Sequence, residues 1–299
     1  MHYKISSENH IFIFSKDNKP VLFVKEGDEV EIETLDCFSN QIKSNEDKLE
    51  SMDWNKVNPA TGPIYVEGAK EGNVLEITIK KIEIADKGVV ATGKDLGVLG
   101  DLMEELYSRV VYIKDGNVIF NEKVSLPIKP MIGVIGVSPK EGNINCGTPG
   151  SHGGNMDTTL IGEGAKLYLP VFVEGALFAL GDLHAAMGDG EVGVSGVEVA
   201  GSVTVEFRVL KNFKLSNPIV KTKDVTATIV SNESLDEAVK VAVHDMAKLF
   251  RSFTKLSIEE IATLFSIAGN VQISQVVDPL KTVRFSLPNW VLDSYGIAF

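Results

Sequence analysis

Eleven residues, Gly181-Asp182-Leu183-His184-Ala185-Ala186-Met187-Gly188-Asp189-Gly190-Glu191, hold three acidic side chains and one of the chain's five histidines. The apolar run from Leu167 to Leu180 that precedes them alternates bulky residues and reads as a buried strand. If that strand continues through Leu183, Asp182 and His184 project from one face. A carboxylate beside an imidazole can hold a divalent metal or transfer a proton. The plain alternative is a surface ion pair, and spacing alone does not decide between them. Asp189 stands between glycines, where aspartate is an ordinary turn former. Glutamate has less reason to occupy a tight turn, so Glu191 is the stronger candidate for a general base or a further ligand.

A second constellation, Asn145-Cys146-Gly147-Thr148-Pro149-Gly150-Ser151-His152-Gly153-Gly154-Asn155-Met156-Asp157, sets a thiol, a hydroxyl, an imidazole and a carboxylate among glycines. It is neither a Gly-x-Ser-x-Gly elbow nor a phosphate loop, because Pro149 precedes Gly150-Ser151 and no Gly-Lys-Ser/Thr follows. Cys146 with His152 as its base would make a nucleophile, although a small buried thiol is the commoner role of such a cysteine. Asp36, at the end of the alternating Val30–Thr34 segment and just before Cys37, is a lone carboxylate at a strand end.

Positioning these groups falls to a mainly β chain. In its 299 residues hydrophobic types make up 44%, charged types 23% and the net charge is −12, a globular balance that disfavours nucleic-acid and anionic-membrane partners. Two cysteines provide no disulfide framework, and no leader-like or membrane-length apolar stretch is visible, so a cytoplasmic protein is expected. Leu75, Ile77 and Ile79 alternate with polar neighbours, as do Val203, Val205, Phe207 and Val209. Asn58–Pro63 reads as a turn into a strand at Ile64–Val66, and Glu71-Gly72-Asn73 as the turn pairing that strand with the Leu75 strand. Asp115-Gly116-Asn117 is a hairpin signal. Ser234 with Glu237 and Ser257 with Glu260 open two amphipathic helices, and Gly269 closes the second. The expectation is one unit over 1–299, β-rich over 1–230 and mixed α/β over 231–299.

The stretches Asn58–Pro63, Asn145–Asp157 and Gly181–Glu191, in this order and spacing, resemble the acetamidase/formamidase family. The resemblance implies a β core with sandwich-like and barrel-like parts, to which the C-terminal helical pair is added. It implies hydrolysis of short aliphatic amides, formamide and acetamide, to carboxylate and ammonia, with metal ions at the acidic and histidine site. On that basis Asp36, Asp182 and His184 are assigned as ligands of a divalent metal, with zinc ahead of calcium. Glu191 is the leading general base, followed by Asp157, with His152 as an acid or a substitute for the third ligand. The backbone at Gly153 and Gly154, with Asn155, is assigned to the substrate. A homodimer or higher homo-oligomer is expected, because edge strands need cover. Two other readings remain: the same hydrolysis by a Cys146 nucleophile, and a noncatalytic binding module in which Asp157, Asp182, Asp189 and Glu191 hold calcium.

Overall fold

A computed structural model describes residues 1–299. The chain is mostly β, with a nine-stranded sheet, an eleven-stranded sheet and three α-helices. The first sheet centres on the long strands Val74–Ile84 and Gly201–Leu210, which pair antiparallel over most of their length. The second centres on Phe178–His184. One edge of that strand pairs with Met131–Gly136; the other pairs first with Ala60–Val66 and then with Glu198–Val199. Facing residues of the two sheets, among them Ile77, Leu167 and Phe207 from the first and Ile132, Phe178 and Leu183 from the second, make the main apolar core.

The expected strand from Leu167 to Leu180 is two strands. Lys166–Pro170 belongs to the first sheet and Phe178–His184 to the second. Between them Gly175, Ala176 and Leu177 take φ of 76°, 59° and 54°, which turns the chain from one layer to the other. Only glycine fits at position 175, since any side chain would enter the Tyr65 ring. The expected hairpin at Glu71-Gly72-Asn73 does not form either. Its first strand, Ala60–Val66, pairs in the second sheet, and its second strand pairs in the first, so the turn is a crossover between layers. The hairpin at Asp115-Gly116 is present, with Lys114 opposite Asn117 and φ of 50° and 74° at the two turn residues.

Helix α1 (Leu235–Phe253) and helix α2 (Ile258–Ala268) open as their caps predict. The Ser234 and Ser257 hydroxyls accept from the amides of Glu237 and Glu260, and Glu260 completes a capping box. Both helices lay their apolar faces on the C-terminal strands through a second core that includes Met246, Phe250, Ile261 and Phe265. Gly269 ends α2 for a different reason from the one expected. Its φ is −92°, not left-handed, and a side chain there would strike the Phe285 ring. The mixed C-terminal part also holds the antiparallel hairpin Asn270–Gln275 and Lys281–Pro288, followed by helix α3 (Asn289–Ser294).

Candidate functional site

The site grows from an interruption in one ladder. Met131 faces His184, Ile132 faces Leu183 and Val134 faces Gly181, but the Gly133–Asp182 pair is missing from the register. Asp182 takes φ of 57°, a left-handed conformation that aspartate tolerates better than most residues. The break shifts the pleat: Leu180 and Leu183, three apart, both face the main core, as do Ile135 and Ile132 opposite them. Asp182 and His184 are thereby left together on the other side. Gly133 makes room for them, because a side chain there would collide with the carboxylates of both Asp182 and Asp157.

Neighbouring segments complete the cluster. Glu198 lies directly opposite His184 in the ladder, so the two side chains share a face. Asp157 follows the strand Gly153–Asn155 and is itself left-handed at φ 43°. Glu191 stands beyond the turn, with φ of 46°. Asp278 comes from the turn after Asn270–Gln275, where the Gln275 side-chain carbonyl accepts from the amides of Val277 and Asp278 and its amide group donates to the Leu280 carbonyl. His184 Nε2 lies 3.0 Å from Glu198 Oε2, 3.5 Å from Asp182 Oδ1, 3.9 Å from Asp157 Oδ1 and 4.0 Å from Glu191 Oε1. Cys37, Asp182 and Glu198 form one set of ligand-type atoms within 4.8 Å of one another; Asp157, His184 and Glu191 form another.

All these side chains but the half-buried Asp278 are buried, and several polar atoms have no hydrogen-bond partner: both oxygens of Asp157, Glu198 Oε2, His184 Nδ1 and Asn155 Oδ1. Glu198 is close to His184, yet its Oε2 is not aligned to accept from the ring. Burial, then neighbouring acids, pushes the carboxyl of Asp157 up to about 7 and that of Glu198 up to about 8. The same causes hold Glu191 and Asp278 well above the carboxylate range. Burial opposes charge on His184, but Glu198 and Asp182 outweigh it and raise the imidazole. The Cys37 thiol is pushed well up by burial and then by Glu198, Asp182 and Asp36. Orphaned lone pairs crowded around one imidazole are costly unless a cation shares them. A donor set of carboxylates, imidazole and thiol fits a divalent ion, and nitrogen with sulfur suits zinc better than calcium.

The cluster forms one wall of a cavity of about 150 Å³. Asn58, Asn155, Asp278 and Ser195 supply further polar lining, while Phe38, Leu49, Trp54, Val57, Ala91, Leu96 and Val194 are largely apolar. The Asn155 amide nitrogen donates to Asp278 Oδ2 at 3.0 Å, which leaves its carbonyl oxygen as the unpaired acceptor.

Of the residues singled out from the sequence, Asp157, Asp182, His184 and Glu191 meet in the cluster, and Asn155 lines the cavity beside it. The others stand elsewhere. Asp36 turns away: its carboxylate accepts from the Asn40 amide at 2.7 Å and lines a separate cavity with Ile42, Lys43 and Lys87. Its neighbour Cys37 points into the cluster instead. His152 packs edge-on against Phe14 at 5.2 Å, and burial lowers its pKa to about 4. Gly153 and Gly154 serve sheet packing, where side chains would meet the carbonyls of Ile135 and Thr148.

Cys146 is buried with Phe14, Val134 and Ala179 and is absent from the cavity wall. Burial raises its pKa, against the activation a nucleophile requires. Cys146→Ala is therefore expected to retain turnover within about twofold, the cost being confined to packing. Steady-state assay of the variant checks this; an inactive, metal-replete, folded Cys146→Ala would restore the thiol mechanism.

Cys37, Glu198, Asp278 and Asn58 were not recognised from the sequence as site residues. Glu198 carried a signal, a carboxylate in Val197-Glu198-Val199 among valines that are buried. Asp278 in Val277-Asp278-Pro279 carries none beyond turn chemistry.

The model of the acetamidase/formamidase family matches residues 12–145 and 140–294. The crystal structure of a recombinant predicted acetamidase/formamidase from Thermoanaerobacter tengcongensis is 75% identical with a TM-score of 0.99, over 100% of this chain and 99% of that one. The structure of an acetamidase from Bacillus halodurans is 47% identical with a TM-score of 0.96, over 98% and 100%. A Schizosaccharomyces pombe relative is 27% identical over 256 residues, 63% of this chain and 61% of its own length.

Proposed function

Because the chain belongs to the acetamidase/formamidase family, we propose that it hydrolyses short aliphatic amides, formamide and acetamide among them, to carboxylate and ammonia. The observation that carries this reading is the cluster of carboxylates and imidazole, with several buried atoms lacking a partner, that opens on a cavity of about 150 Å³. In this reading His184, Asp182, Asp157, Glu198 and Cys37 hold a divalent cation, with zinc favoured by the thiol and the ring nitrogen. Such an ion polarises a carbonyl and lowers the pKa of bound water from 15.7 to about 7.

The remaining work falls to the chain. Glu191 accepts a proton from the attacking water and passes it to the departing nitrogen. Its buried, acid-rich surroundings raise its proton affinity. Asn155 Oδ1 is free to accept from the amide N–H, with Asp278 holding the Asn155 side chain in that orientation. The apolar wall at Phe38, Leu49 and Leu96 takes the acyl group and excludes water. An amide is a poor electrophile with a poor leaving group, so fixing its nitrogen and acyl ends supplies orientation where it is needed.

Ammonia release from formamide and acetamide tests the activity directly. Purified protein that binds zinc but releases no ammonia from either amide would leave the noncatalytic reading in its place.

A further inference from the structure

Arg284 is the largest fully buried side chain in the protein, and it is a charged one. It lies on Lys281–Pro288, in the hairpin whose turn carries Asp278. Burying a guanidinium is costly unless every donor is matched. Arg284 Nη2 donates to Asp189 Oδ2 at 2.5 Å, Nη1 to Ser274 Oγ at 3.3 Å and Nε to Gln272 Oε1 at 3.2 Å.

Each partner belongs to a segment that delivers a cluster residue. Asp189 precedes Glu191, and its other oxygen accepts from the Thr159 hydroxyl at 2.8 Å. The Ser274 hydroxyl accepts from Thr158 at 2.8 Å, one residue beyond Asp157. The Gly190 amide donates to the Ser274 carbonyl at 2.9 Å, and the Val276 amide donates to the Gly190 carbonyl at 3.2 Å. Segments 157–159, 189–191 and 274–278 thus converge on one fork.

We infer that Arg284, through Asp189 and Ser274, is the positioning residue that sets Asp157, Glu191 and Asp278 relative to one another. A guanidinium suits the task because its planar fork fixes direction as well as charge, which lysine does not do. The inference rests on the cluster being a cation site in an amide hydrolase. Groups that orient ligands from behind in this way typically change affinity or activity by about 10–100-fold when lost.

The test compares Asp189→Asn with Arg284→Lys in the full chain. Asp189 is the gentler target, since its side chain is 41% exposed against 2% for Arg284. Zinc affinity is measured by competition with a chromophoric chelator, alongside kcat and KM for acetamide and the melting temperature. Asp189→Asn is expected to weaken zinc binding and lower kcat by about 10–100-fold, with KM within about threefold. Arg284→Lys, which keeps the charge without the fork, should fall between that variant and the wild type. Wild-type zinc affinity and kcat in both folded variants would overturn the inference. If neither folds, Thr159→Val, which removes one donor to Asp189, must lower zinc affinity, or the inference fails. A zinc effect in a protein inactive on every amide would keep the clamp and sink the amidase reading; no zinc binding by the wild type would sink both.

Discussion

Alanine at His184 is expected to lower ammonia release from acetamide by at least about 10³-fold and to strip bound zinc. His184 is the only imidazole in the cluster, and its Nε2 is the atom from which the four nearest carboxylates are measured at 3.0 to 4.0 Å. Removing it takes the only nitrogen from the donor set and leaves buried acids facing one another beside the Cys37 thiol, a set that holds zinc less tightly than one with nitrogen. A loss of three decades corresponds to about 4 kcal/mol of transition-state stabilisation, in keeping with the several kcal/mol ascribed to an electrophilic metal. Chelation of the wild type should reproduce the loss, and added zinc should reverse it in the wild type alone. Full turnover by a rigorously metal-free preparation would remove the cation from the mechanism. Retained activity in a folded His184→Ala would remove the histidine.

The second large effect is expected at a residue with no functional group. Gly133→Ala should abolish metal binding and lower kcat by about 10² or more while strands Met131–Gly136 and Phe178–His184 stay paired. An added methyl would sit on the Asp182 and Asp157 carboxylates at once. Both belong to buried backbone in left-handed conformations, so neither can swing aside freely. Displacement of about 1 Å in a reacting constellation is enough for a loss of that order. Zinc content, kcat and circular dichroism together check the outcome. A folded Gly133→Ala with unaltered zinc and kcat would show that the carboxylate pair has slack that the packed site lacks.

A strand continued from the Leu167 run through Leu183 was enough to predict that Asp182 and His184, two apart, stand together, and they do. The reason differs in part, because the left-handed Asp182 breaks the pleat that the prediction assumed. Helix starts were legible because a cap is local: Ser257 and Glu260 bond within one turn. Layer crossings were not. Leu167–Leu180 carries one continuous hydrophobic signal although its halves lie in different sheets, since burial looks alike in both. Cys37 was hidden behind Asp36 for a similar reason. One step of chain decides which of two adjacent side chains enters the cluster, and only the loop's fold, with the Asp36 carboxylate held by Asn40, sets that step. Glu198 and Asp278 reach the site through pairing and packing with distant strands, which no local pattern encodes.

The hairpin Asn270–Gln275 and Lys281–Pro288 supplies Asp278 to the cavity and Arg284 to the clamp behind it. Every other acid of the cluster is made earlier in the chain. A chain that stopped before this hairpin would carry the other acids of the cluster without Asp278 and without Arg284. Docking of the last strands brings a guanidinium and a carboxylate together at the site. Contacts of such long range form slowly relative to local helices and hairpins, so closure of the cavity is expected to follow formation of the elements around it.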